Sequence, residues 1–402
     1  MTPGVVHHAW MLRIDVAERR RRLGIRHALC PASRAADPVE AVRRVVALHA
    51  TDPASVFLAA WARTDSIAPQ AIAEALYEQR TLVRMLGMRR TMFVVPTDLR
   101  PVIEESTMPR IAAAQRRLLV KHLRELTDVR DPEPWLEDVE HSVLRALAAR
   151  GGTATAGQLS ADEPRLRTQL VMAAGKPYQA TQNITSRVLL LLGARGHVVR
   201  GPPTGSLLSQ RYQWALAQQW LPAAGEPPPP AQARAELARR WLTTFGPAPP
   251  ADLQWWTGWP KTEVAQAVAD LNVREVDLDG VAGVVLPSDA DCSADPGPWV
   301  ALLPALDPTV MGWSDRSWFF GGHEQGLFDR SGNAGPTVWC GGRVVGGWAQ
   351  RRDGEIAVRL LEDVGTDAAA LVQAEASRLR GWLGALRFIP RFRTPLEREL
   401  TA

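Results

Sequence analysis

The 402-residue sequence predicts an α+β protein, mainly α: three tandem winged-helix units with a small C-terminal antiparallel β element. Three observations carry that prediction. Apolar residues at helical spacing give way, three times along the chain, to a strand pair closed by a basic or glycine-containing turn. Four consecutive prolines at positions 227–230 separate the second occurrence from the third. Towards the C-terminus the period changes, and short strands joined by Gly-Gly and Asp-Gly turns take over.

The first unit is assigned to residues 1–130. Asp37-Pro38-Val39-Glu40 reads as a helix start: a capping aspartate, proline at the first helical position and a glutamate three residues after the cap. Val39, Val42 and Val46 follow at helical spacing. In "VVALHATDP", residues 45–53, the aliphatic run is expected to end this helix, with His49-Ala50-Thr51-Asp52 beyond it and Pro53 as the stop. A second helix is expected from Pro69 through Leu76. "LVRMLGMRRTMFVV", residues 82–95, then supplies the strand pair leading into Pro96, with Arg89 and Arg90 at its turn. Residues 103–126 are expected to form one long, Arg-rich helix.

The second unit covers residues 131–222. Leu136, Val139, Val143, Leu144 and Leu147 mark an amphipathic helix closed by Gly151-Gly152. "ATAGQLSADEP" suits a short helix with Pro164 beyond it. "QNITSRVLLLLGARGHVVRGPP" reads as a helix from Gln182 to Gly193, a strand at His197-Val198-Val199 and a tight Gly/Pro turn. That helix is the one to enter a major groove; a helical hairpin packed internally is the alternative. Residues 223–232 form a semi-rigid, extended linker. The third unit, 233–290, holds three short helices and the strand pair in "VREVDLDGVAGVVLP". In residues 291–402, "TVWC" and "RVVGGWAQ" flank Gly341-Gly342, "RRDGEIAVRLLEDV" adds a third strand, and a helix from about 367 to 386 closes the chain.

Composition narrows the function classes. No apolar run approaches the roughly 20 residues of a membrane helix. The N-terminal stretch carries acidic residues and lacks a long apolar segment with a cleavage site, so no secretory signal is expected and the cytoplasm is the expected compartment. Cys30, Cys292 and Cys340 are few, odd in number and far apart, which suits neither a disulfide framework nor a zinc site. The eight histidines are scattered, and His7-His8 is read as solvated, so no metal is expected. Of 47 basic residues, 44 are Arg and only Lys121, Lys176 and Lys261 are Lys. A GC-rich genome accounts for part of this bias. The planar guanidinium also suits two-oxygen contact with phosphate, so a basic face for nucleic acid is compatible with the net charge of +4.

Taken alone, His49-Ala50-Thr51-Asp52 favours a structural reading, with His49 capping helix carbonyls and Asp52 making an Asx turn before Pro53. A wider pattern changes that. "VVALHATDPASVFLAAWAR", "LVRMLGMRRTMFVV", "ITSRVLLLLGARGHVVRG", "GPAPPADLQWWTG" and "LLPALDPTVMGWSDRS", with "GNAGPTVWCGGRVVGGW", occur in this order from about residue 10 to 385. In words and order they resemble the AlkZ-like (YcaQ-like) winged-helix DNA glycosylase family.

The resemblance implies three winged-helix units around a concave surface for duplex DNA. It also implies monofunctional excision of bulky N-alkylated purines, crosslinked ones included, without a cofactor; some members protect producers of DNA-alkylating antibiotics. The family's catalytic pair is a Gln-x-Gln or Gln-x-Asp motif, and the matching positions here are His49 and Thr51. His49 would accept a hydrogen bond or proton from the attacking water, Thr51 would supply a second hydrogen bond, and Asp52 would set a negative charge near the oxocarbenium. For double-stranded DNA, Arg89 and Arg90 at the first wing, Arg187 on the second unit's helix, and Arg316 and Arg330 flanking Trp318-Phe319-Phe320 are expected to neutralise phosphates. Those aromatics are candidates to wedge into a base stack or shelter an adduct; Trp255-Trp256 is read as core. Asp307 and Asp315, in the last signature, are expected to fix a loop.

Two other classes remain open at this level. One is a non-catalytic winged-helix DNA-binding protein or regulator; the absence of coiled-coil heptads or an effector domain argues instead for a monomer wrapping DNA. The other is a protein that sequesters an alkylating drug in a Trp-lined pocket.

Overall fold

Capping and turn chemistry set several element boundaries. A computed structural model describes residues 12–402 other than 177, 178 and 224; His7 and His8 lie outside the described residues. Asp37 caps the helix Pro38–Arg43 as predicted, its carboxylate accepting from the amides of Val39 and Glu40. That helix stops early. Val46 takes a left-handed φ of 65°, and Leu48–His49 is a strand where the sequence suggests a helix end. Val42, Val45 and Val46 are β-branched and lose side-chain freedom in a helix, whereas Leu48 and His49 gain strand pairing with Val94 and Phe93. Pro53 then begins a helix, Pro53–Trp61, because proline fits a first helical turn.

The chain forms two compact units from interleaved segments. One comprises Ala47–Val56 and Pro69–Ala233; the other comprises residues 12–46, 57–68 and 234–402. In the first, six strands make one antiparallel sheet in the spatial order Leu48–His49, Thr91–Pro96, Leu82–Gly87, Val198–Pro203, Tyr212–Leu216 and Thr153–Thr155. The predicted hairpin at 82–96 and a second one, formed by Val198–Pro203 with Tyr212–Leu216, therefore share a sheet, joined where Arg84 faces Arg200. The predicted apolar face of the helix Pro132–Ala149 is buried: Leu136, Val139, Val143 and Leu147 pack with Leu123, Leu159, Val188 and Leu192. Each such side chain contributes about 1.5–3 kcal/mol through burial.

Three further boundaries in this unit differ from expectation. The single helix over 103–126 is two, Arg100–Ser106 and Met108–Leu126, because Pro109 has no amide to donate to the preceding turn. The helix expected from Gln182 is Thr185–Ala194; Gln182 and Asn183 belong to the strand Ala180–Asn183, paired with Gln169–Met172. The Gly/Pro segment 201–203 continues the strand instead of turning, with an irregular register between Arg200 and Pro203 where the prolines cannot donate to the ladder.

The other unit follows the sequence more closely. The three helices expected there are Pro230–Phe245, starting on the fourth proline of the linker and entering this unit at Arg234, then Pro250–Thr257 and Lys261–Ala269. The hairpin Arg274–Leu278 with Val281–Val285 turns on Asp279 and Gly280, both at positive φ, as a two-residue hairpin loop requires. The C-terminal sheet has four strands, Val300–Leu303, Thr337–Cys340, Arg343–Gln350 and Ile356–Leu360, turning at Gly341-Gly342 between the second and third. Val300–Leu303 gives no sequence signal because Ala301, Leu302 and Leu303 are all buried, so no alternation shows. The helix Thr366–Leu383 follows. Among the described residues, no helix is long and apolar enough to cross a membrane.

Candidate active site

The segment His49–Asp52 leaves the edge of the six-stranded sheet and enters the helix Pro53–Trp61. His49 pairs with Phe93, and their rings meet edge to face at 5.3 Å. Its imidazole is 8% exposed. Burial first, and the positive charge of Arg89 second, hold its pKa down to about 3, so the ring is neutral throughout the physiological range. Its Nδ1 is buried and has no hydrogen-bond partner among the described residues. A neutral imidazole with an open nitrogen can orient a water molecule, though as a weak base it is poorly suited to removing a proton outright.

Thr51 is half-buried, with its hydroxyl oxygen shielded from solvent. Asp52 is buried, and its Oδ1 accepts the Ala54 amide at 3.2 Å, the Asx turn across Pro53 that the sequence suggests. His49 makes no helix cap, since its backbone lies in a strand. The peptides on both sides of Ala50 are held: its amide donates to Met92 O at 2.7 Å, and its carbonyl accepts from Arg84 Nη2 at 2.7 Å and Nε at 3.1 Å.

Arg89 and Arg90 occupy the turn between Leu82–Gly87 and Thr91–Pro96, with φ of 52° and 60°. Such angles favour glycine or asparagine, so two arginines are kept there at a conformational cost. Arg90 donates to Gln115 at 3.0 Å. Arg187, on Thr185–Ala194, donates to His122 Nδ1 at 2.6 Å, and repulsion from Arg90 adds to burial in lowering its pKa. The turn and the helix thus bring Arg90 and Arg187 within electrostatic range.

Arg316 and Arg330 belong to the other unit. Arg330 is exposed. Arg316 is half-buried, folded against Trp255 and Phe328 with each ring centroid 5.2 Å away, and donates to Trp313 O. Phe319 and Phe320 are fully buried, which removes them as wedges; Trp318 alone of the three is part-exposed, with Arg19 over its ring. Trp256 is core, whereas Trp255 is half-buried. Asp307 fixes its loop as expected. Its carboxylate caps Pro308–Met311 and forms a fully buried two-oxygen pair with Arg63, which also donates to Thr309. Asp315 accepts from the amide and hydroxyl of Ser317. No group of three or more His, Cys, Asp or Glu among the described residues is placed to hold a metal ion.

A family model described as "DNA glycosylase AlkZ-like" matches residues 42–382, most of the length of the chain. The chain belongs to the AlkZ-like DNA glycosylase family. It is therefore a DNA glycosylase, acting on DNA. In fold it is similar to the Streptomyces sahachiroi DNA glycosylase AlkZ, with a TM-score of 0.70 over 92% of this chain and 97% of that one, at 19% identity. No curated protein matches the glycosylase by sequence.

One residue of the site escapes sequence reading. Arg84 lies in "LVRML", a strand buried throughout, and only its charge among apolar neighbours marks it out.

Proposed function

We propose that this glycosylase hydrolyses the N-glycosidic bond of bulky N-alkylated purines in duplex DNA, interstrand crosslinks and antibiotic adducts included. On this reading it acts in repair or self-resistance, as a cytoplasmic monomer without a cofactor. The observation that carries the reading is His49, a buried, neutral imidazole whose Nδ1 has no hydrogen-bond partner among the described residues; the resemblance matches its position to the family's catalytic pair. A cationic alkylpurine leaves readily, taking the electron pair of the glycosidic bond as C1′ becomes oxocarbenium-like. The water oxygen then bonds to C1′, and its proton passes to solvent. This chemistry asks for an oriented water more than a strong base. His49 accepts one hydrogen bond from that water, Thr51 supplies a second contact, and Asp52 adds negative charge beside the sugar.

The hairpins at 82–96 and 198–216 and the one at 274–285 are read as wings of three winged-helix units. Arg89, Arg90 and Arg187 contact phosphates from one compact unit, and the loop bearing Arg316 and Arg330 contributes from the other. Adducts linked to both strands cannot rotate freely out of the stack, so recognition without full base flipping is part of the proposal. A lesion complex with the modified base fully extrahelical in a closed pocket would overturn that part. The activity is tested by abasic-site formation on a duplex carrying one bulky N7-alkylguanine; release of the modified base supports the substrate class, and none across several bulky adducts refutes it.

A further inference from the structure

We infer that Arg84 is a positioning residue for base excision: its guanidinium holds the Ala50 carbonyl and thereby fixes His49 and Thr51 relative to each other. The inference rests on the assignment of His49 and Thr51 to catalysis.

Two peptide planes join His49 to Thr51. The first is held by the Ala50 amide on Met92 O, an ordinary sheet hydrogen bond. The second leaves the sheet, and no backbone amide among the described residues donates to its carbonyl; Arg84 binds it there through both Nε and Nη2, at 3.1 and 2.7 Å. A planar two-point donor fixes the direction of a carbonyl as well as its distance. With both planes set, the imidazole and the hydroxyl on either side of Ala50 have little freedom to separate.

The surroundings of Arg84 are unfavourable to a casual arginine. It is 7% exposed, in a strand otherwise made of Leu, Val, Met and Gly, and faces Arg200 directly across the sheet. Like charges opposite one another destabilise a sheet. The fold offsets this with aromatic faces: Arg200 lies over Tyr212 and Trp214 at 3.7 and 3.8 Å, and Arg84 over Tyr212 at 5.4 Å. An apolar residue at position 84 would match its strand and remove the repulsion. A local conflict retained with this much compensation points to a role in the site.

The test compares Arg84→Lys, Arg84→Ala and His49→Ala with wild type. Single-turnover excision of a bulky N7-alkylguanine, affinity for the same duplex and thermal unfolding are measured for each. Arg84→Lys keeps the charge and loses the two-point geometry; it is expected to cut the excision rate constant about 100-fold, the scale of a small misplacement of reacting groups, while DNA affinity stays within about 3-fold. Ethylguanidinium at non-denaturing concentration is expected to restore part of the Arg84→Ala rate and none of the His49→Ala rate. Loss of affinity, folding and excision together in Arg84→Lys would reduce Arg84 to a structural role and overturn the inference. So would wild-type excision in Arg84→Lys while His49→Ala is inactive. Wild-type excision in His49→Ala would instead refute the assignment of His49, a separate outcome.

Discussion

Excision by this glycosylase should be insensitive to pH where most histidine-dependent enzymes lose activity. The perturbation is acidification from pH 8 to pH 5. An unperturbed histidine has a pKa of about 6.5 and is about nine-tenths protonated at pH 5.5, which would cost about tenfold in rate if the neutral ring were required. His49 differs in sign and size. Burial and the Arg89 charge both oppose its cationic form, so its pKa falls to about 3. At pH 5.5 fewer than about 1% of molecules would carry a protonated ring. The neutral form is thus lost only as pH falls through the region of 3. The assay is single-turnover release of a cationic N7-alkylguanine with enzyme saturating, at constant ionic strength so that phosphate contacts stay unchanged. The rate constant should vary less than about 2-fold between pH 5 and 8. A fall with an apparent pKa between 6 and 7 would refute a buried, neutral His49.

Two further outcomes follow from the packing and from the basic face. Replacing Asp307 by Asn leaves Arg63 fully buried and without its anion, which should lower stability by about 3–5 kcal/mol in denaturant unfolding; a loss below about 1 kcal/mol would contradict the pairing. Arg90→Ala and Arg187→Ala should each weaken binding to damaged and undamaged duplex alike, and reduce the slope of log affinity against log salt by about 1. An unchanged slope would remove that residue from the DNA surface.

Much of this architecture was legible because capping and turn chemistry act over a few residues. Asp37-Pro38 starts a helix, Gly341-Gly342 turns a hairpin and Asp52 makes its Asx turn, each for reasons contained in the local sequence. What was misread depended on distant partners. "VVALHATDP" looks like a helix end until Val94 and Phe93 claim Leu48 and His49 as a strand. Val300–Leu303 is silent because burial erases its alternation. Phe319 and Phe320 look available as wedges, yet pack into the core beside Trp339 and Phe328. The candidate site rests on the family's pattern more than on physics: the resemblance puts His49 and Thr51 at the positions of a catalytic pair, while their burial, the low pKa of the ring and the hold of Arg84 on Ala50 required the fold. Proline was the most ambiguous signal. It stops a helix, starts one or shifts the register of a ladder according to what precedes it, and here Pro109, Pro53 and Pro203 each do something different.

The most direct test of the central claim is base release from a duplex bearing one bulky N7-alkylguanine, measured for wild type beside His49→Ala with DNA affinity measured on the same samples. Release by wild type, loss of at least about 100-fold in the variant and affinity within about 3-fold would establish an excision enzyme that works through His49. Equal rates from the two proteins would contradict it, and would return the imidazole to the sheet edge as packing.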